Sequence, residues 1–185
     1  MAKSTGFGEL ELLEIEERAS ILFGLYARGG VFKKAIDEEV QKRLSLLTAE
    51  DVADDLILSF DEVDDDVACA NSGRGPWGYR DYGEAVSELL SDQFRPLLRK
   101  ITDAAKEKRN DLALITTEGI VLGLYRFNQE CRYDYIDAIP DDCSYMAEET
   151  VNTWKKLYPD DTNARMELKA FIEANCPGWV KEFRW

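Results

Sequence analysis

Apolar residues recur every three or four positions along almost the whole chain. Leu10, Leu13, Ile21, Leu22 and Leu25 form the first such stripe, which predicts a helix over 8–28. Gly29-Gly30 ends it, because glycine enters the left-handed cap conformation without steric cost. Phe32, Ile36, Val40, Leu44 and Leu47 define a second helix, with Lys33 and Lys34 set against the macrodipole in its first turn. Thr48-Ala49-Glu50-Asp51 reads as an N-cap followed by acids, and opens a third helix carrying Val52, Leu56, Ile57 and Phe60.

The rhythm breaks over 67–82, where three glycines and a proline fall within six residues and stop any helix. It resumes from Gly83. Val86, Leu89, Leu90, Phe94, Leu97, Leu98, Ile101 and Ala105 keep one stripe across Pro96, so either one kinked helix or a new helix starting at the proline fits. Further helices are predicted from Asn110 onward, over about 141–158 and over about 163–175. Alternation with a period of two never persists, so no strand is predicted. The fold expected is all-α: seven or eight antiparallel helices, as a short HEAT- or TPR-like α-solenoid or an irregular bundle. Residues 1–185 are expected to form a single domain, with the Gly/aromatic loop at 67–82 between two helical halves.

One internal echo bears on the solenoid. Ile21-Leu22-Phe23-Gly24-Leu25-Tyr26 parallels Ile120-Val121-Leu122-Gly123-Leu124-Tyr125. A glycine inside an apolar stripe costs about 1 kcal/mol against alanine and is tolerable where another helix comes close. The echo is read either as two related halves or as chance plus a shared packing demand.

Charge narrows the partners. The formal net charge is −14, from 37 acids and 23 bases. Residues 71–110 carry 8 bases against 6 acids, between more acidic flanks. Such a surface repels nucleic acid and anionic membrane, so neither is an expected partner. The chain has no histidine. That removes Ser-His-Asp and Cys-His catalysis and histidine-ligated metal. Cys69, Cys131, Cys143 and Cys176 lie far apart with no C-x-x-C pair, so reduced thiols are expected and a thiolate zinc site is not. No signal-peptide core and no membrane-length apolar run occurs, which makes cytoplasm the expected location. No cofactor, metal or catalytic residue set is expected.

Two stretches stand out as candidate sites. Arg74, Trp77, Tyr79, Arg80 and Tyr82 bring two guanidiniums and three rings into the loop. The arginines suit a carboxylate or phosphate, and the rings suit stacking; the alternative is a connection whose rings pack back on the helices. Asp61, Glu62, Asp64, Asp65 and Asp66 form an acidic patch. It lacks the glycine and the closing glutamate of a calcium loop, and docking against the basic Arg95–Arg109 helix is one use for it. Cys143 falls in a first helical turn but beside Asp141 and Asp142, and reads as a structural thiol. The apolar tail Trp179, Val180, Phe183 and Trp185 must pack on its own body or on another chain.

The stretch Leu47 to Leu90 resembles an uncharacterised helical-repeat-like region of some bacterial proteins that also carry a SWIM-type zinc finger. The resemblance runs through Thr48-Ala49-Glu50-Asp51-Val52, Asn71-Ser72-Gly73-Arg74, Gly78-Tyr79 and Glu84-Ala85. It covers about a quarter of the chain. The finger's C-x-C and C-x-H pattern is absent here, so the resemblance implies a helical domain without its metal or nucleic-acid role.

The function expected from these features is a protein-interaction or adaptor module, with a protein partner and a possible homodimer. Two alternatives stand beside it: an acidic inhibitor or immunity-type protein that imitates phosphates toward a basic partner, and a small-molecule-binding or enzymatic domain built on the 72–82 loop.

Overall fold

The computed structural model describes residues 13–63, 65–75, 78–130, 139, 141–183 and 185. Among these residues there are eight α-helices and one two-stranded sheet: α1 (Ile15–Ala27), α2 (Gly30–Leu44), α3 (Ala49–Asp61), α4 (Asp65–Asn71), β1 (Gly73–Gly75), β2 (Gly78–Arg80), α5 (Tyr82–Lys106), α6 (Asn110–Glu130), α7 (Asp142–Leu157) and α8 (Thr162–Asn175). A 3-10 turn at Trp179–Lys181 follows. The chain divides into two compact units, Met1–Leu46 and Leu47–Trp185.

In the first unit, Glu14 and Glu17 form a capping box that starts α1. Gly29 and Gly30 adopt positive φ at 70° and 60°, as the turn between α1 and α2 requires. The two helices touch each other, and the Lys33 ammonium lies 5.3 Å above the Tyr26 ring. Neither helix contains a buried residue.

The second unit holds the core. Thr48 caps α3 as its sequence predicts: its hydroxyl accepts from the Asp51 N–H, and the Asp51 carboxylate accepts from the Thr48 N–H at 2.9 Å. Asp81 and Glu84 form the same reciprocal cap on α5. Pro96 does not divide α5. Its ring is exposed, so the carbonyl it leaves without an N–H can turn to water, and Ala85, Val86, Leu90, Phe94, Leu97, Ile101 and Ala104 stay buried on one continuous stripe.

The organising element is α6. It packs against α3, α5, α7 and α8, and Thr116–Leu124 are buried without interruption. Gly119 and Gly123 lie one turn apart and let α3 come in to backbone contact. A Cβ on Gly119 would stand 2.5 Å from the Val52 Cβ and 2.6 Å from the Ala49 carbonyl oxygen. A central helix touched by four others fits the all-α fold of packed antiparallel helices that the sequence predicts. Phe60 and Phe127 meet edge to face at 5.1 Å across the same α3–α6 contact.

Two expectations are corrected, and the two glycines of the internal echo differ in their surroundings. The break at 67–82 is not helix-free, because α4 runs to Asn71. The absence of strands fails at Gly73–Arg80, where β1 and β2 pair antiparallel with Arg74 opposite Tyr79; strands of three residues are too short to register a period. Gly123 sits at a helix contact, whereas a Cβ on Gly24 would meet nothing within 4 Å. The C-terminal tail packs on its own unit: Trp179 meets Tyr125 edge to face at 5.3 Å, Phe183 is buried, and the Trp185 indole donates to the Val180 carbonyl while Lys155 sits above its ring.

Candidate functional site

The loop residues singled out in the sequence form a surface hairpin. Arg74 and Tyr79 face each other across the strands, and both are exposed, Tyr79 at 77%. Arg80 donates to the Glu88 carboxylate on α5. Arg74 stands opposite Tyr79 and Arg80 opposite Gly73 in the strand register. Tyr82 is the first residue of α5 and packs partly against the core. Trp77 lies outside the described residues.

The acidic residues fall at two helix ends. Asp61 is the last residue of α3 and Glu62 its C-cap, where the dipole disfavours them. Asp65 and Asp66 begin α4, where the dipole favours acids. Asp61, Glu62 and Asp66 are exposed; Asp64 lies outside the described residues. Among the described residues no group of three or more His, Cys, Asp or Glu side chains is placed to hold a metal. The basic stretch of α5 partly answers its own charges, with Arg95 on Asp92 at 2.8 Å and Lys106 on Asp103 at 2.7 Å.

Periodicity also hid a set of polar groups in the second unit. Glu118 lies inside α6 and is 9% exposed. Loss of hydration, reinforced by the Glu167 carboxylate on α8, pushes its pKa up to about 7. A glutamate at a core-facing position of an apolar helix is the signal that would have found it. Thr117 and Thr150 are buried too, but each hydroxyl donates to a carbonyl one turn back in its own helix. Two turns further along α6, Arg126 reaches α3 and donates twice to Glu50, at 2.5 and 3.0 Å. Around the start of α6 and the α7–α8 turn, Trp154 and Tyr158 stack at 5.5 Å, and Arg165 donates to the Pro159 carbonyl. Burial, with Asp111 and Asp161 nearby, raises the Tyr158 pKa. These groups tie helices together.

The feature with no internal explanation is the α1–α2 pair. Its predicted stripes form as helices, yet Ile15, Phe23, Val31 and Phe32 are 76, 71, 83 and 52% exposed. Ile21, Leu22, Tyr26 and Val40 are also exposed. Leu25, Ile36 and Leu44 are only half-buried. An amphipathic helix forms to bury its apolar face, and these two leave most of theirs open. The shallow groove beside them, lined by Gly30, Lys33, Lys34, Asp37, Glu38 and Gln41, belongs to the polar side of α2, where Lys34 and Glu38 pair at 3.7 Å.

No protein family, curated protein or solved structure matches this chain. Among the described residues no helix is long and apolar enough to cross a membrane.

Proposed function

We propose that this chain is a cytoplasmic protein-interaction module whose docking element is the α1–α2 pair, carried on the helical bundle of residues 47–185. The observation that carries the reading is the pair of helices with no buried residue and eight large apolar side chains exposed. Helices of 13 and 15 residues are marginal in water without packing. A protein surface that covers Phe23 and Phe32 supplies that packing, and binding then orders the pair. Aromatic residues are the usual energetic anchors of such contacts.

The test is affinity capture with the intact chain and with Phe23→Glu/Phe32→Glu. Specific partners are expected with the first and lost with the second, while both proteins keep the same unfolding midpoint for the bundle. An identical captured set from both rules the pair out as the docking element.

The exposed Asp61, Glu62 and Asp66 favour a second reading, an acidic inhibitor of a basic partner. That reading requires association that slows steeply with added salt and with Asp61→Asn/Asp66→Asn.

A further inference from the structure

We propose that the surface which covers the α1–α2 pair is the same pair of a second copy of this chain, laid in the opposite direction, so that the start of α1 in one copy lies beside the α1–α2 turn of the other. The inference rests on the docking reading above and names its occupant.

Charge decides the occupant and its direction. From Ala27 to Ala35, around the turn, there are three bases, Arg28, Lys33 and Lys34, and no acid. From Leu13 to Arg18, at the start of α1, there are three acids, Glu14, Glu16 and Glu17, against one base. The two clusters stand at opposite ends of α1. At 1.5 Å of rise per residue, Glu16 is about 17 Å along the helix from Ala27. That exceeds the screening length of about 8 Å at physiological salt, so the clusters do little for each other within one copy.

The basic cluster is also unfavourable where it stands. Lys33 and Lys34 occupy the first turn of α2, which has no acid to answer the positive end of its dipole, although Lys34 pairs with Glu38 one turn on at 3.7 Å. An acidic segment laid beside that turn offsets the lysines and the dipole together. This chain carries such a segment at the other end of the same helix. In a two-fold arrangement each contact occurs twice, so the start of α1 in either copy meets the turn of the other.

Exposed apolar side chains on both helices supply the surface for such an interface: Ile15, Leu22, Phe23 and Tyr26 lie on one side of α1, and Phe32 and Val40 on one side of α2. Two helices from each copy give four, the number of a four-helix bundle.

The experiment is light scattering and sedimentation of the full chain between about 1 and 200 µM, with a charge-swap series. The wild type is expected to dimerise, and Phe23→Glu/Phe32→Glu to be a monomer. Lys33→Glu is expected to weaken the dimer about tenfold. Adding Glu16→Lys to Lys33→Glu is expected to restore most of the loss, because the two positions meet only between copies. That rescue separates a broken interface from a damaged helix. A wild type that stays monomeric to 200 µM overturns self-pairing, as does a dimer that survives Phe23→Glu/Phe32→Glu, or a charge swap with no rescue. A monomer whose captured partner is lost with Phe23→Glu/Phe32→Glu overturns self-pairing and leaves the docking reading standing. Mass and captured partners both unmoved by that variant overturn both.

Discussion

Gly123 and Ala53 meet where α6 and α3 come into backbone contact: a Cβ on Gly123 would stand 2.9 Å from the Ala53 carbonyl oxygen and 3.0 Å from its α-carbon. The contact on the other side is backbone, so no side chain can swing away to make room. Gly123→Ala and Gly119→Ala are therefore expected to destabilise the bundle by about 1–3 kcal/mol each through overpacking. Gly24→Ala has nothing within 4 Å to meet and gains up to about 1 kcal/mol of helix propensity. Urea unfolding of the three variants checks the opposite signs. Equal effects at Gly24 and Gly123 would contradict the packing described.

Glu118 gives the bundle a pH dependence of known sign. Its pKa rises from an ordinary 4.5 to about 7 on folding. The folded state thus binds this proton more tightly than the unfolded chain. Below about pH 4.5 the group costs nothing; between there and pH 7 an ionised carboxylate becomes progressively unfavourable in the fold. Glu118→Gln is expected to be close to neutral at pH 4.5 and to stabilise by about 1–3 kcal/mol at pH 8. Denaturant titrations of both proteins at the two pH values measure the difference. A gain at pH 4.5 that vanishes at pH 8 would reverse the sign.

The cysteines differ in reactivity for a physical reason. Burial pushes the Cys176 thiol up to about 12, only partly offset by Arg126, whereas Cys69 is exposed. Iodoacetamide at pH 8 is expected to label Cys69 at least tenfold faster than Cys176 in the folded protein, and the two at similar rates in denaturant. Peptide mass spectrometry over a time course separates them.

The closing turn at Trp179–Lys181 is part of the core. Trp179→Ala removes a ring packed on Tyr125 and is expected to cost about 3–5 kcal/mol. Tyr79→Ala, on the exposed β-hairpin, is expected to change stability by less than about 0.5 kcal/mol. Thermal or urea unfolding distinguishes the two.

Much of this fold is legible from spacing and caps. The stripe through Val86, Phe94 and Ile101 marks a helix that runs past Pro96, and Thr48 and Asp51 mark where α3 starts. Asp81 and Glu84 carry the same signal for α5. The choice between solenoid and bundle is not local. Gly119 and Gly123 meet α3 about seventy residues earlier in the chain, and periodicity within one helix holds no record of its partner. The β-hairpin escapes because three residues are too few to alternate. The α1–α2 pair shows the limit most clearly. Ile21, Phe32 and Val40 fit the helical pattern as well as any core stripe, but pattern reports that a face is apolar, not that anything covers it. The arginines of 74–82 show the same limit: the sequence does not record that Arg80 pairs with Glu88 on α5.

The most direct measurement is hydrogen exchange of the full chain at about 0.5 µM and about 100 µM. At the lower concentration the amides of 15–44 are expected to exchange at least a hundredfold faster than those of α6. At the higher concentration they are expected to slow at least tenfold, with α3 and α6 unchanged. Amides of 15–44 as protected as α6 at both concentrations would mean that these apolar faces are already covered within one chain, and would contradict the account.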